Sequence, residues 1–264
     1  MTWVNALADN VKGEAAAPRI WIPRQHGAWP MLAIPLLLGI SVGRFSGWQL
    51  ALAGAAASGY LTSATAQTWR RARSRRKYRS TLLIYGSLFV AFSLALTISH
   101  PALCLALLAL IPAAAVTVWL SRPGRSKGVT ESLAQVAEAL VLIPAAAYLA
   151  GPLDDSRVAL ATLAAGLYLA GTVLAVRSVI RERGNSRFAA LSIGYHTIAA
   201  LAALLLLPGV YAALFVALAV RALALPIAER RLADTAHPLR PKGVGMVEIV
   251  ASVCLVGLCF ARPL

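Results

Sequence analysis

The sequence predicts an all-α fold, a polytopic bundle of about nine transmembrane helices with a cytoplasmic amino terminus. Three observations carry this. Hydrophobic residues make up 59% of the 264 and charged residues 13%, where a soluble domain carries about a quarter charged. The mean hydropathy is +0.72. The charges are bunched, and nearly uncharged runs of about twenty residues, the length that crosses the hydrocarbon core as a helix, fill the space between them. A helix also satisfies its own backbone polar groups, as a lipid environment demands.

The elements follow in order. Residues 1–27 are a cytoplasmic lead-in without the apolar core or cleavage site of a signal peptide, and 28–264 form a single transmembrane domain. Span 1 is the short run Ala28–Gly43, and span 2 is Trp48–Thr68. Spans 3 and 4, Ser80–Ser99 and Pro101–Leu120, turn at His100-Pro101. Span 5 is Ser132–Ala150, span 6 Val158–Val176 and span 7 Phe188–Leu207. Span 8, Val210–Ala228, follows the Pro208-Gly209 turn, and span 9 is Val244–Phe260.

Orientation rests on the basic residues. An inside amino terminus places every lysine and arginine except Arg44, Arg157 and Arg262 on the cytoplasmic face, as the positive-inside rule requires. The segment Trp69–Ser80 alone holds seven of them, whereas the outer loop with Asp154 and Asp155 is acidic. The net charge of +15 therefore reports topology and contact with anionic membrane lipids. It gives no reason to expect nucleic acid as a partner. Cys104, Cys254 and Cys259 lie inside apolar runs without metal-ligand spacing and read as packing residues.

Ionisable groups within spans are expensive, so each is a functional candidate. Glu138, His196, Arg177, Arg221 and Glu248 all fall in or near the cytoplasmic halves of their spans. Glu131, Gln135 and Glu138 recur on one helix face, and Ser58, Thr62, Thr65 and Trp69 form a similar stripe. Arg177, Arg181, Arg183 and Asn185 close span 6, and Arg24 and His26 stand at the inner mouth of span 1. Together they predict a cation-rich polar cavity facing the cytoplasm. In it His26, His196 and Glu138 serve as acid–base groups, and Arg24, Arg177, Arg181, Arg183, Asn185 and Glu248 bind substrate. The bland alternative reads the hydroxyl stripe as helix packing, Arg177 with Glu138 or Glu248 as a structural bridge, and the basic run as a topology anchor. No metal site is expected and no cofactor is indicated. GxxxxGK[ST], HExxH, CxxC and GxSxG are absent, so ATP hydrolysis and the common hydrolase chemistries find no support.

RQHGAWPMLAIPLLLG (Arg24–Gly39), GTVLAVRSVIRERGNSRF (Gly171–Phe188) and RPKGVGMVEI (Arg240–Ile249) resemble the YwiC-like membrane proteins. The resemblance implies a bacterial multi-pass protein of the cytoplasmic membrane and leaves the chemistry to the residues. The layout is also similar to that of the UbiA prenyltransferases, in which Asp-rich loops after spans 2 and 6 hold Mg²⁺ against an isoprenoid diphosphate. Here those stretches read TSATAQTWRR and RSVIRERGNS, with Glu182 as their one carboxylate. A phosphate bound there would meet arginine directly. Three functions follow: an enzyme acting on a lipid-linked isoprenoid phosphate or diphosphate, a carrier for a small anion or organic acid, and a non-catalytic component of a membrane complex.

Overall fold

The computed structural model describes residues 21, 28–72, 74–120, 128–152, 154–232 and 241–264. Ten helices are present among the described residues: α1 (Ala28–Val42), α2 (Gly47–Arg71), α3 (Arg76–Ser99), α4 (Leu103–Leu120), α5 (Val129–Leu140), α6 (Leu142–Tyr148), α7 (Asp155–Ile180), α8 (Ser186–Leu206), α9 (Gly209–Leu232) and α10 (Pro241–Ala261). Seven segments are long and apolar enough to cross a membrane, with α5 and α6 counted as one. Their outer faces are apolar, as Val90, Leu94 and Ile98 on α3 and Leu105, Leu108 and Ile111 on α4 illustrate. A surface this greasy belongs in lipid. The chain is a polytopic membrane helical bundle.

Three predicted spans differ in detail. α1 is only 15 residues long. α2 is 25 residues, but its serines, threonines and glutamines dilute its hydropathy below that of the seven. Span 5 is broken at Val141, because Pro144 has no N–H to offer the Leu140 carbonyl.

α7 is the central helix, with 56% of its most apolar stretch buried against 11% for α3 and for α4. Around it α1, α5, α6, α8, α9 and α10 build one core that includes Leu38, Ile143, Tyr168, Leu169, Phe215 and Leu255. The α2–α3 hairpin stands to one side and is closely packed within itself. Phe92 and Phe89 of α3 seat against Gly54 and Gly59 of α2, where a Cβ would come within 2.8 and 2.9 Å of the rings. Small residues let membrane helices approach in this way. Of the cysteines only Cys259 packs inside; Cys104 and Cys254 face outward, and all three are free.

The basic connections α2–α3 and α7–α8 lie at one end of the bundle, called here the basic end. At the opposite end Asp154 caps α7, accepting hydrogen bonds from Ser156 Oγ at 2.6 Å and the Arg157 N–H at 3.2 Å. These bonds, the Ser156 hydroxyl foremost, hold its carboxyl below the usual range.

Gln49 ties the hairpin to the core at that same end. Its Nε2 donates to the Arg44 and Ala146 carbonyls at 3.1 and 2.8 Å, while its Oε1 accepts from the Ser46 N–H at 3.0 Å. Ala146 belongs to the last turn of α6, whose carbonyls have no partner within their own helix. Gln49→Leu keeps the volume and strands these groups. It is expected to cost about 2 kcal/mol, read as a lowered thermal midpoint of the purified protein.

Candidate functional site

Two constellations of polar groups lie within the bundle, and the predicted site residues divide between them. The first surrounds a cavity of about 440 Å³ between the α2–α3 hairpin and α4, α5 and α6, with Met31 and Leu32 of α1 on its wall. Toward the end opposite the basic loops the lining is mostly apolar, with Leu52, Leu96, Leu103, Leu107 and Ala145, and its Thr97 hydroxyl bonds back to the Ser93 carbonyl of its own helix at 2.9 Å. Toward the basic end it turns polar, through Thr62, Ser63, Gln67, Thr117, Gln135 and Glu138. Glu138 Oε1 accepts a 2.6 Å hydrogen bond from Thr117 Oγ1. Gln135 and Glu138 thus share the face that the sequence predicts. Of the hydroxyl stripe, Ser58 and Thr62 bond back to the Gly54 and Ser58 carbonyls of their own helix at 2.6 and 2.7 Å. The described lining holds no lysine or arginine, in contrast to the cation-rich cavity expected.

Cations gather instead just past the basic end of α2. Arg75, Arg76 and Arg79 line a recess with Trp69, Leu82 and Leu83. The Arg75 guanidinium lies 5.1 Å from the centre of the Trp69 ring, within the range of a cation–π contact.

The second constellation joins α7, α8, α9 and α10. Arg221 Nη1 donates to Glu248 Oε1 at 2.6 Å, and Nη2 points at His196 Nε2 at 3.3 Å. His196 Nδ1 lies 2.7 Å from the Ser192 carbonyl oxygen, which only accepts, so Nδ1 carries the proton and Nε2 presents its lone pair to Arg221. Thr172 Oγ1 donates to Glu248 Oε2 at 3.0 Å. The Tyr168 hydroxyl stands 3.1 Å from the Glu248 backbone oxygen and 2.8 Å from Ser252 Oγ. Gly171 makes room for the imidazole, since a Cβ there would lie 2.9 Å from Nε2. At about 1.5 Å of rise per residue, Glu248 is about 10 Å and His196 about 15 Å along their helices from the basic end, near the middle of a core about 30 Å thick.

The α7–α8 connection is a built turn. Arg177 Nε lies 3.6 Å from Glu182 Oε1, and Asn185 Nδ2 donates to Glu182 Oε2 at 3.1 Å. Asn185 Oδ1 also caps α8 by accepting from the Phe188 N–H at 3.2 Å. Gly184 takes φ +76°, a conformation that glycine adopts freely. Arg183 pairs with Glu229 of α9 at 3.1 Å, and Arg181 is exposed on the turn. Glu248, weighed together with Glu138 as a partner for Arg177, pairs with Arg221 instead, the residue on the neighbouring helix at matching depth. Arg24 and His26 lie outside the described residues. Among the described residues no three histidine, cysteine, aspartate or glutamate side chains are grouped to hold a metal ion.

Comparison with known proteins bears on the first constellation. The YwiC-like protein family matches residues 22–147. The similarity to that family extends over just under half of the chain. That match takes in the whole cavity lining, from Met31 to Ala145. The chain is also similar to a Bacillus subtilis (strain 168) protein named "Uncharacterized protein YwiC", 29% identical over 175 residues, which span 66% of this chain and 73% of the relative. No solved structure matches it significantly.

Proposed function

We propose that this protein binds an amphipathic lipid carrying a phosphate or diphosphate, with the apolar chain in the α2–α5 cavity, and acts on the headgroup at the basic end. The observation that carries this reading is the polarity gradient of the cavity. Its volume of about 440 Å³ falls in the range of small-ligand sites, roughly 300–1,000 Å³. One half offers mostly apolar walls, with the Thr97 hydroxyl bonded to its own helix, and the other offers hydroxyls, amides and the Glu138 carboxylate. A wholly apolar ligand would leave those polar groups unused. A wholly polar ligand would be stranded against leucines.

In this reading Glu138, held by Thr117, supplies the acid–base group for a hydroxyl at the headgroup. Arg75, Arg76 and Arg79, just past the end of α2, receive the phosphate and stabilise its charge. The inner-membrane location expected from the basic loops puts that headgroup within reach of cytoplasmic partners.

Native mass spectrometry of protein extracted gently from its own membrane tests the reading. The wild type should carry a phosphorylated isoprenoid or similar anionic lipid. Ala106→Phe places a ring in the cavity and should lose the lipid, whereas Leu105→Phe, on the outward face, should keep it. A wild-type spectrum without lipid sinks the proposal, as does a lipid retained equally by all three. Accelerated anion flux in proteoliposomes of the lipid-free protein would favour the carrier instead.

A further inference from the structure

We propose that Arg221, Glu248 and His196 form an intramembrane proton-binding site, in which protonation of His196 displaces the Arg221 guanidinium. None of the three lines the lipid cavity, so this inference stands apart from the function proposed above.

The cluster is complete in one protonation state. Arg221 and Glu248 are each about nine-tenths buried in their side chains, and their opposite charges cancel at 2.6 Å. His196 is 3% exposed. Its neutral ring donates through Nδ1 to Ser192 and accepts through Nε2 from Arg221. The titratable groups packed around it are Arg221 on α9, Glu248 on α10, Tyr168 on α7 and Tyr195 on α8, whose ring meets the imidazole edge-on at 5.7 Å.

A proton taken from water binds the Nε2 lone pair and forms a new N–H bond. That bond points at Arg221 Nη2, itself a donor, so the hydrogen bond between them is lost. Two cations then face a single carboxylate, and the cluster's net charge rises from zero to +1. Charge at this depth is costly, so one cation must leave the contact. The imidazole is held on two sides. Ser192 keeps Nδ1, and α7 stands against the ring at Gly171. Arg221 is the less anchored member. Its buried Nε has no hydrogen-bond partner among the described residues, and its long stem can carry the head toward the basic end. Glu248, fixed through Thr172, stays behind to balance the imidazolium. Proton uptake thereby alters the contact between α9 and the α8–α10 pair, which is what a proton-linked change in the bundle needs.

The test is nitrogen NMR of the full-length protein in lipid nanodiscs, with ¹⁵N-labelled histidine and arginine, between about pH 8 and pH 5, where histidine changes charge. The chain has four histidines, so His196→Gln assigns the His196 signals. At the alkaline limit His196 should show a protonated Nδ1 and a bare Nε2. On acidification both nitrogens should become protonated, and the Arg221 side-chain signals should move with the same midpoint. In His196→Gln the Arg221 signals should no longer respond to pH. An alkaline form protonated at Nε2, a His196 that keeps one form throughout, or Arg221 signals that ignore its titration would each overturn the proposal. Tautomer and co-titration are both read on the wild type, with Arg221→Lys as a second assignment, so both readouts stand even if His196→Gln fails to fold.

Discussion

Arg221→Met is expected to destabilise the folded protein by about 3–5 kcal/mol, the usual cost of removing one partner from a buried ion pair. Methionine fills most of the arginine's volume, so lost packing contributes little. The loss comes from Glu248, whose Oε1 is left without its 2.6 Å donor at a depth where water does not reach freely. His196 Nε2 loses its donor at the same time. The double variant Arg221→Met/Glu248→Gln removes both charges and should recover more than half of the deficit. The single variant should be more damaging at alkaline than at acidic pH, because a stranded carboxylate escapes its cost by taking a proton. Thermal midpoints in detergent across pH, on the wild type and the single and double variants, measure all of this. Equal midpoints for the single and double variants would mean that the pair does not act as a unit.

The same cluster separates what the sequence makes legible from what it does not. That Glu248, His196 and Arg221 lie deep is readable directly, because depth follows from counting residues along an apolar run. That they meet is not, because the rotation of each helix about its axis is set by packing among small residues that a hydropathy pattern does not resolve. Arg177 shows the same gap. Glu182, five residues on in the same connection, comes within 3.6 Å of it, a partner to which the sequence does not point. A turn with glycine in the left-handed region brings them together, and the bare spacing does not announce one. Glu138 and Gln135 are legible as neighbours because both sit on a single helix, where the period alone decides. Thr117 is not, because it comes from α4, across the helix interface. The span boundaries are the most legible feature, since bilayer thickness and charge bunching constrain them without reference to packing. The break at Val141 is hidden because Pro144 lies inside an apolar run that reads as one continuous span.

Gly39→Val is expected to be the most damaging single change at a glycine, costing about 3 kcal/mol or more through overpacking. α1 crosses α6 through Gly39 and Gly43, which face Ala146 and Ala150. A Cβ at position 39 would lie 2.6 Å from both the Ala146 Cβ and the Ile143 carbonyl oxygen, and 3.2 Å from the Ile143 Cα. Two of these atoms are backbone, so no rotamer change relieves the clash and the helices themselves must part. α6 carries Leu142 and Ala145 of the cavity wall and the Ala146 carbonyl that Gln49 bonds, so its displacement reaches the cavity as well as the core. Gly47→Ala is the matched control. It sits at the start of α2 with nothing within 4 Å of its added Cβ, and should be neutral or stabilising by up to about 1 kcal/mol. Ala146→Gly added to Gly39→Ala removes the side-chain clash and leaves the one with the Ile143 oxygen, so rescue should be partial. Thermal midpoints and the amount of lipid retained after extraction test the chain of reasoning together. Full rescue by Ala146→Gly would show that the side chain alone sets the spacing of α1 and α6. A Gly39→Val protein as stable as Gly47→Ala would show that the two helices are not held as closely as described.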